Sequence, residues 1–501
     1  MRYEKMNNQN QNQSFSWLRK TFFPVHPYEL QKVLPFAVMF CGIIFSYTLA
    51  RQAKDWLILG VGGSTIIPSA KIFVMIAGVF FGYLHAKITS KNSHFKAFLL
   101  SFLPFLIFFG LFPILYKFLN VVQMTPENII ALSNKMPNLK HFITIIGNWA
   151  LSLYYIMSEM LGTFMLGATF WQLANFYSTS DEAKRFYPFY GLIAQFGSFL
   201  AGSAFKYIGI VVNTTSRYYG VLLISGFLLA IGVIIIGAAT YFFKVTLNNP
   251  KYAIDTTNEK KHNKKKAKVG FKESLQNLKD NPAFILVCLL TVWYGICATS
   301  MEAFWKGKVQ DLYGNSGQFM QFMGTYIQCT SIATLIINIF SGSIIRLLPW
   351  LVPAIVTPIV VLFASFFLFG TNISFIKVFL QGLLGLDPLY LCVMIGAGSL
   401  IIFKAAKYAL FDPTKEFFIR AQKESDSIQI KSLETSVSRL GKGGSALIQS
   451  AIFSIFPSMT MDGMSPILWV ITGTMGLVWL YSILTINKEM VKIEKINNEK
   501  Q

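Results

Sequence analysis

The segment FKAAKYALFDPTKEFF, Phe403 to Phe418, follows the apolar run LYLCVMIGAGSLII and sets Lys404 and Lys407 one helical turn apart. On a helix the two lysines share a face with Tyr408 and Phe411. Two ammonium groups beside two aromatic rings suit a multiply charged anion; the alternative is a pair of lysines snorkelling to headgroup phosphates. Glu159, in YYIMSEMLG, lies inside another apolar stretch, where a short carboxylate must pair with a lysine or carry a proton. The plainer possibility is a buried ion pair that locks two helices. RQAKDW brings Arg51, Lys54 and Asp55 to the end of the first apolar span, and EAFWKGK brings Glu302, Trp305 and Lys306 to the matching place on the seventh. Opposed charge clusters at matching ends predict a gate that closes by ion pairing, against the alternative of ordinary solvated helix ends. RLGKGGSALIQ, Arg439 to Gln449, sets Lys442 beside two glycines at the opening of the eleventh span. The GxxxxGK[ST] spacing and its preceding strand are missing, so this is not a phosphate-cradling loop, and the glycines suit close helix packing. No Ser/His/Asp set, Asp-rich set or Walker site accompanies these groups, which argues against an enzyme and against a primary pump. Neither a metal site nor a cofactor motif is visible.

The elements that must carry these residues are apolar runs of the length that spans a bilayer. Of 501 residues 53% are hydrophobic and 13% charged, which defines a polytopic all-α membrane protein. The runs fall near 33–58, 66–86, 96–118, 140–176, 186–208 and 218–243, then 282–303, 317–343, 349–370, 384–411, 434–456 and 465–486. This predicts about 12 transmembrane helices in two six-helix bundles, over 33–243 and 282–486. The run at 140–176 is too long for one upright span and is expected to tilt, protrude or break. Between the bundles, 244–281 contains NEKKHNKKKAKVGFKE and reads as a basic cytoplasmic linker. An even number of spans in each bundle then places the tails 1–32 and 487–501 in the cytoplasm as well. The formal net charge of +21 is concentrated in connections, as for loops beside anionic lipid, and gives no indication of nucleic acid. The five cysteines lie in candidate spans without paired spacing. Sliding the chain by 231 residues aligns ANFYSTSDEAKRFY with AKYALFDPTKEFF, so that Tyr177 meets Tyr408 and Asp181 meets Asp412. Parallel six-helix repeats with a substrate site between them are the architecture of the major facilitator fold.

RQAKD at 51–55, FWQLAN at 170–175, EAKRFYPFYGL at 182–192, EAFWKGK at 302–308, KYALFDPTKE at 407–416 and RLGKGGSALIQ at 439–449 occur in one order along nearly the whole chain. In this the sequence resembles the nucleotide transporters, or ATP/ADP translocases, of plastids and obligate intracellular bacteria. The resemblance implies a facilitator-like bundle in a bacterial inner membrane that exchanges nucleotides by alternating access, with ATP and ADP as the expected substrates. It implies transport roles for Lys54 and Glu302 and for a lysine near the start of the eleventh helix, whose approximate counterpart, one residue out of register, is Lys431; Gln172 and Asn175 of FWQLAN are further candidate site residues. The sequence departs from the family at Phe176, where Glu or Gln is usual, and at FFIRAQ after KYALFDPTKE, where the family reads close to MAYIPLD. A polyphosphate needs several cations, and lysine supplies movable point charges. Tyr408, Phe411 and Trp305 are expected to stack on a base. Two alternatives are proton-coupled import of a nucleotide or a related phosphorylated cofactor such as NAD, through Glu159 or Glu302, and a lipid-phosphate enzyme or flippase.

Overall fold

The computed structural model describes residues 25–247 and 282–498 apart from Asn315 and Lys423. The tail up to residue 24, most of the expected linker and the last three residues lie outside the described residues. Six long helical units precede residue 248: α1 (Leu30–Gly62), α2 (Ile67–Lys91), α3 (His94–Lys117), a composite α4 over 140–177, α5 (Ser180–Thr214) and α6 (Arg217–Tyr241). Six follow residue 281: α7 (Pro282–Tyr313), α8 (Gly317–Leu347), α9 (Leu351–Gly370), α10 (Pro388–Ala421), α11 (Glu424–Ile455) and α12 (Met461–Asn498). All described elements are helical, as a bilayer requires of backbone groups that have no water to bond. Ten of the twelve units are long and apolar enough to cross a membrane. The other two are α4, which is broken, and α11, whose first half is rich in Ser, Glu and Lys.

Local chemistry sets the boundaries. Gly63, at φ 66°, ends α1 by donating its amide to the Leu59 carbonyl, a left-handed cap that favours glycine. Thr179 opens α5 with a capping box: its hydroxyl accepts from the Glu182 amide, and the Glu182 carboxylate accepts from the Thr179 amide. Asp387 caps α10 with its carboxylate, which accepts from the Tyr390 amide. The long run at 140–176 does break: Lys140–Gly147 and Trp149–Met160 are followed by a π-helical stretch, Leu161–Phe170, and a last turn, Trp171–Tyr177. A second π segment, Lys407–Phe411, interrupts α10. π segments add a residue to the turn and redirect side chains, and they are frequent at functional sites.

The order of helices repeats. The short helices Pro126–Lys135 and Ser374–Leu384 lie between α3 and α4 and between α9 and α10, so the long helices and one short helix follow the same order in each half. The short sequence match at 231 residues is not this repeat. Tyr177 closes α4, whereas Tyr408 lies inside the continuous run of α10. Three side-chain bonds between α1 and α7 instead join residues 251 apart.

The halves meet at the end of the bundle remote from where the chain enters α1 and leaves α12. At the α5–α8 seam a Cβ built on Gly202 would lie 2.8 Å from the Gly324 carbonyl oxygen, and Gln328 donates to the Ser203 hydroxyl at 2.8 Å. Small residues let the two backbones touch there, as is common in membrane packing. At the α2–α11 seam the hydroxyls of Ser69 and Ser450 are 2.8 Å apart and Met75 lies over Gly443. Ion pairs toward the other end join helices of one half: Glu29 with Arg185, Lys32 with Glu182, and Lys415 with Glu434.

Candidate functional site between the two halves

RQAKD and EAFWK are not at helix ends. α1 continues through LILGVG to Gly62 and α7 through VQDLY to Tyr313, so both clusters sit inside their helices, and Lys54 and Asp55 are only 2% and 1% exposed. The residues after each cluster extend the helix past the expected boundary. A charge at such a position requires partners, and the structure supplies them as one chain of ion pairs. Glu159 of α4 lies 3.1 Å from Lys54, which donates to Asp55 at 2.8 Å. Asp55 accepts from Lys306 of α7 at 2.7 Å. Glu302 accepts from Arg51 of α1 at 3.0 Å and lies 2.6 Å from Lys404 of α10. Lys306 also lies 3.7 Å from Glu302, one turn away on α7. Four helices and both halves are thereby linked.

The signs reverse between halves. Arg51 and Asp55 of α1 face Glu302 and Lys306 of α7, each pair 251 residues apart. Glu159 and Lys404 stand two and three residues before the π segments of α4 and α10. Each thus stands just before the π segment of its half, and the two carry opposite charges. The π segment of α4 also makes room: a side chain at Gly162 would overlap the ring of Tyr47 on α1. Lys54 is held further by the face of Tyr155, 3.6 Å from the ring centroid.

The two lysines of the opening motif part company. Lys404 goes to Glu302 and lies 5.3 Å from the Tyr326 ring, while Lys407 pairs with Asp412 at 2.7 Å and lies over the rings of Tyr408 and Tyr294. The π turn beginning at Lys407 separates residues that a regular helix would keep on one face. Trp305 and Phe411 are core residues rather than stacking platforms. The Trp305 indole donates to the Val393 carbonyl and packs on Tyr326 over Gly396, and Phe411 packs edge-on against Trp479. Tyr408 is 45% exposed, yet it lies within electrostatic reach of Arg51, Lys404 and Lys442, so its free surface faces a space inside the bundle.

Lys442 lies in the middle of α11, not at its start, because the helix already begins at Glu424. Gly441 packs on the Val292 backbone, the close approach expected of these glycines, and Lys442 is exposed and without an ion-pair partner among the described residues. Lys431 belongs to the same helix, and its side chain lies outside the described residues. Gln172 and Asn175 stand apart from the ion chain, near the end of α4, where Asn175 accepts from the Tyr187 hydroxyl. Phe176 is there too, with its ring 4.0 Å from that of His94. Sequence reasoning passed over Lys71 and Tyr47. Lys71 lies in a run already read as a span, so the rule that singled out Lys404 would have found it; nothing in the sequence marks Tyr47. Lys71 and Lys442 both lie within electrostatic reach of Glu159.

Two six-helix halves around a charged interior define a facilitator-type membrane transporter. Solved structures of that class share the fold: a bacterial homologue of the iron transporter ferroportin in an inward-facing state, with 12% identity and a TM-score of 0.58 over 94% of this chain and 100% of that one, and the xylose transporter XylE from E. coli, with 10% identity and a TM-score of 0.57 over 90% and 97%. A profile of the TLC ATP/ADP transporter family matches residues 8–490, and the chain belongs to that family. It is 32% identical to ADP,ATP carrier protein 1 of Chlamydia pneumoniae over 95% of this chain and 94% of that one. It is 31% identical to ADP,ATP carrier protein 1 of Rickettsia bellii over 95% and 96%. The family is one of transporters, which sets aside the lipid-phosphate enzyme.

Proposed function

We propose that this protein exchanges ATP and ADP across a bacterial inner membrane by alternating access, with both termini in the cytoplasm and substrate bound between the halves. The observation that carries the reading is the ion chain that ties α1 to α7 at one end of the bundle, with two lysines beside it, Lys71 and Lys442, that have no ion-pair partner among the described residues. Six cations (Arg51, Lys54, Lys71, Lys306, Lys404, Lys442) share three carboxylates (Asp55, Glu159, Glu302). The surplus of positive charge suits a nucleotide polyphosphate. The cross-half pairs close one entrance while substrate enters from the other, and phosphate oxygens that compete for Arg51 and Lys404 release Glu302 and loosen the closure. The empty carrier keeps its surplus charge uncompensated, which makes return without cargo costly and favours exchange. The carrier names of the relatives agree with this reading. Glu159 and Glu302 are each engaged by cations, which favours exchange over proton coupling through either of them.

The test is uptake of labelled ADP by proteoliposomes containing the full chain. Internal ATP is expected to accelerate uptake strongly, and an uncoupler to change it little. Accumulation into empty vesicles that an uncoupler abolishes would replace exchange with proton-coupled import.

A further inference from the structure

Lys71 is a charge the ion chain does not absorb. It lies on α2, two residues past Ser69, whose hydroxyl meets Ser450 across the α2–α11 seam, and four before Met75, which covers Gly443. Its side chain is partly buried and makes no hydrogen bond, ion pair or ring contact with a described residue. Yet it stands within electrostatic reach of Glu159 in one half and Glu302 in the other. Both carboxylates are already taken, the first by Lys54 and the second by Arg51 and Lys404. An ammonium group inside a span persists beside a partner or in a wet cavity, and the partner still open to Lys71 is an anion arriving from that cavity. Lys442, across the same seam and adjacent to Gly443, is in the same condition. Two point charges, one from each half and both within reach of Glu159, can bracket successive phosphates of one chain; a single phosphate engages them less fully.

On the nucleotide reading above, we propose that Lys71 reads phosphate number: opposite Lys442 it holds the distal phosphates and makes the carrier prefer nucleoside di- and triphosphates to monophosphates. Lysine suits the task, because a mobile ammonium group holds an oxyanion without the fixed bidentate geometry that would slow its release. In proteoliposomes with labelled ADP and ATP and with AMP as competitor, Lys71→Met is expected to raise KM for ADP and ATP about tenfold or more, the loss of one charge-assisted contact. The inhibition constant of AMP should change by less than about twofold, and Lys71→Arg should restore most of the difference. Unchanged constants, or an equal loss for all three nucleotides, would overturn the assignment. A second measurement needs no variant. With the wild-type protein in detergent, ADP but not adenosine is expected to protect Lys71 from a small water-soluble acylating reagent, read by mass spectrometry. Equal modification with and without ADP would sink the proposal even where Lys71→Met fails to insert. Wild-type protein that moves no nucleotide at all fails the functional reading itself, and that result is seen before any variant is made.

Discussion

Lys54 has its ammonium within about hydrogen-bonding distance of two carboxylates and against one ring face, with almost no exposure. Such a group is stable only in company. Deleting one member of a buried pair leaves the other uncompensated and costs about 3–5 kcal/mol. Glu302 is the equivalent node on α7, with Arg51, Lys404 and Lys306 around it. Lys54→Gln and Glu302→Gln are therefore expected to reduce ADP/ATP exchange at least about a hundredfold at matched membrane abundance, a loss of about 3 kcal/mol. Exchange at the wild-type rate by either variant would remove these residues from the closure. At this scale the sequence located most of the charges but not their company. Arg51, Lys54, Asp55, Glu159, Glu302, Lys306 and Lys404 were visible as charges near apolar runs, but which carboxylate meets which lysine depends on helix depth and rotation. Depth was misread because RQAKDW looks like the polar edge of a span. Trp305 looked like a platform for the same reason: a tryptophan beside lysines is placed by its neighbours in space, here Val393, Gly396 and Tyr326.

Among the elements, the α2–α11 seam shows one hydroxyl pair and a methionine over a glycine among the described residues, and it is a smaller contact than the α5–α8 seam with its backbones in touch. Both seams lie at the end where the halves meet, so both must part if that end opens during transport. Replacing Ser69 and Ser450 by cysteine in a background without the native cysteines is expected to give a disulfide on mild oxidation, since the hydroxyls lie 2.8 Å apart. Oxidation should stop exchange and a reductant should restore it; full activity in the cross-linked protein would show that the seam stays shut during the cycle. Helix order was legible because apolar length alone reports it, and the break in α4 followed from a run too long for one span. The structural repeat was not legible. Helical halves conserve the order and depth of elements, and a short match such as ANFYSTSDEAKRFY against AKYALFDPTKEFF falls on a helix end in one half and a helix interior in the other. The π segments were equally hidden; the one in α4 carries the contact of Gly162 with Tyr47, which only the packing of two helices reveals.

For the molecule as a whole, the described contacts between halves gather at one end. Arg51–Glu302, Asp55–Lys306, Ser69–Ser450 and Ser203–Gln328 all lie toward the end remote from the start of α1. On the orientation proposed above, with the termini in the cytoplasm, such a carrier would be closed to the outside and accessible from within. Lys442→Cys is accordingly expected to react with an impermeant thiol reagent in inside-out vesicles and far more slowly in right-side-out vesicles. The opposite preference would reverse either the conformation at rest or the orientation in the membrane. Overall class was open to sequence reasoning because hydropathy and loop charge speak directly to a bilayer. Which end is shut was not, since both conformations are written in the same residues.

The reversal of sign between α1 and α7 also bears on how such a molecule can have arisen. Near a two-fold axis each residue of a symmetric dimer meets its own copy. Two identical N-terminal halves would set Arg51 against Arg51 and Asp55 against Asp55, and two C-terminal halves would set Glu302 against Glu302 and Lys306 against Lys306. Like charges at that depth would hold the entrance apart. A duplicated gene could reach the present pairing of Arg51 with Glu302 and of Asp55 with Lys306 only once its two copies were free to diverge in opposite directions.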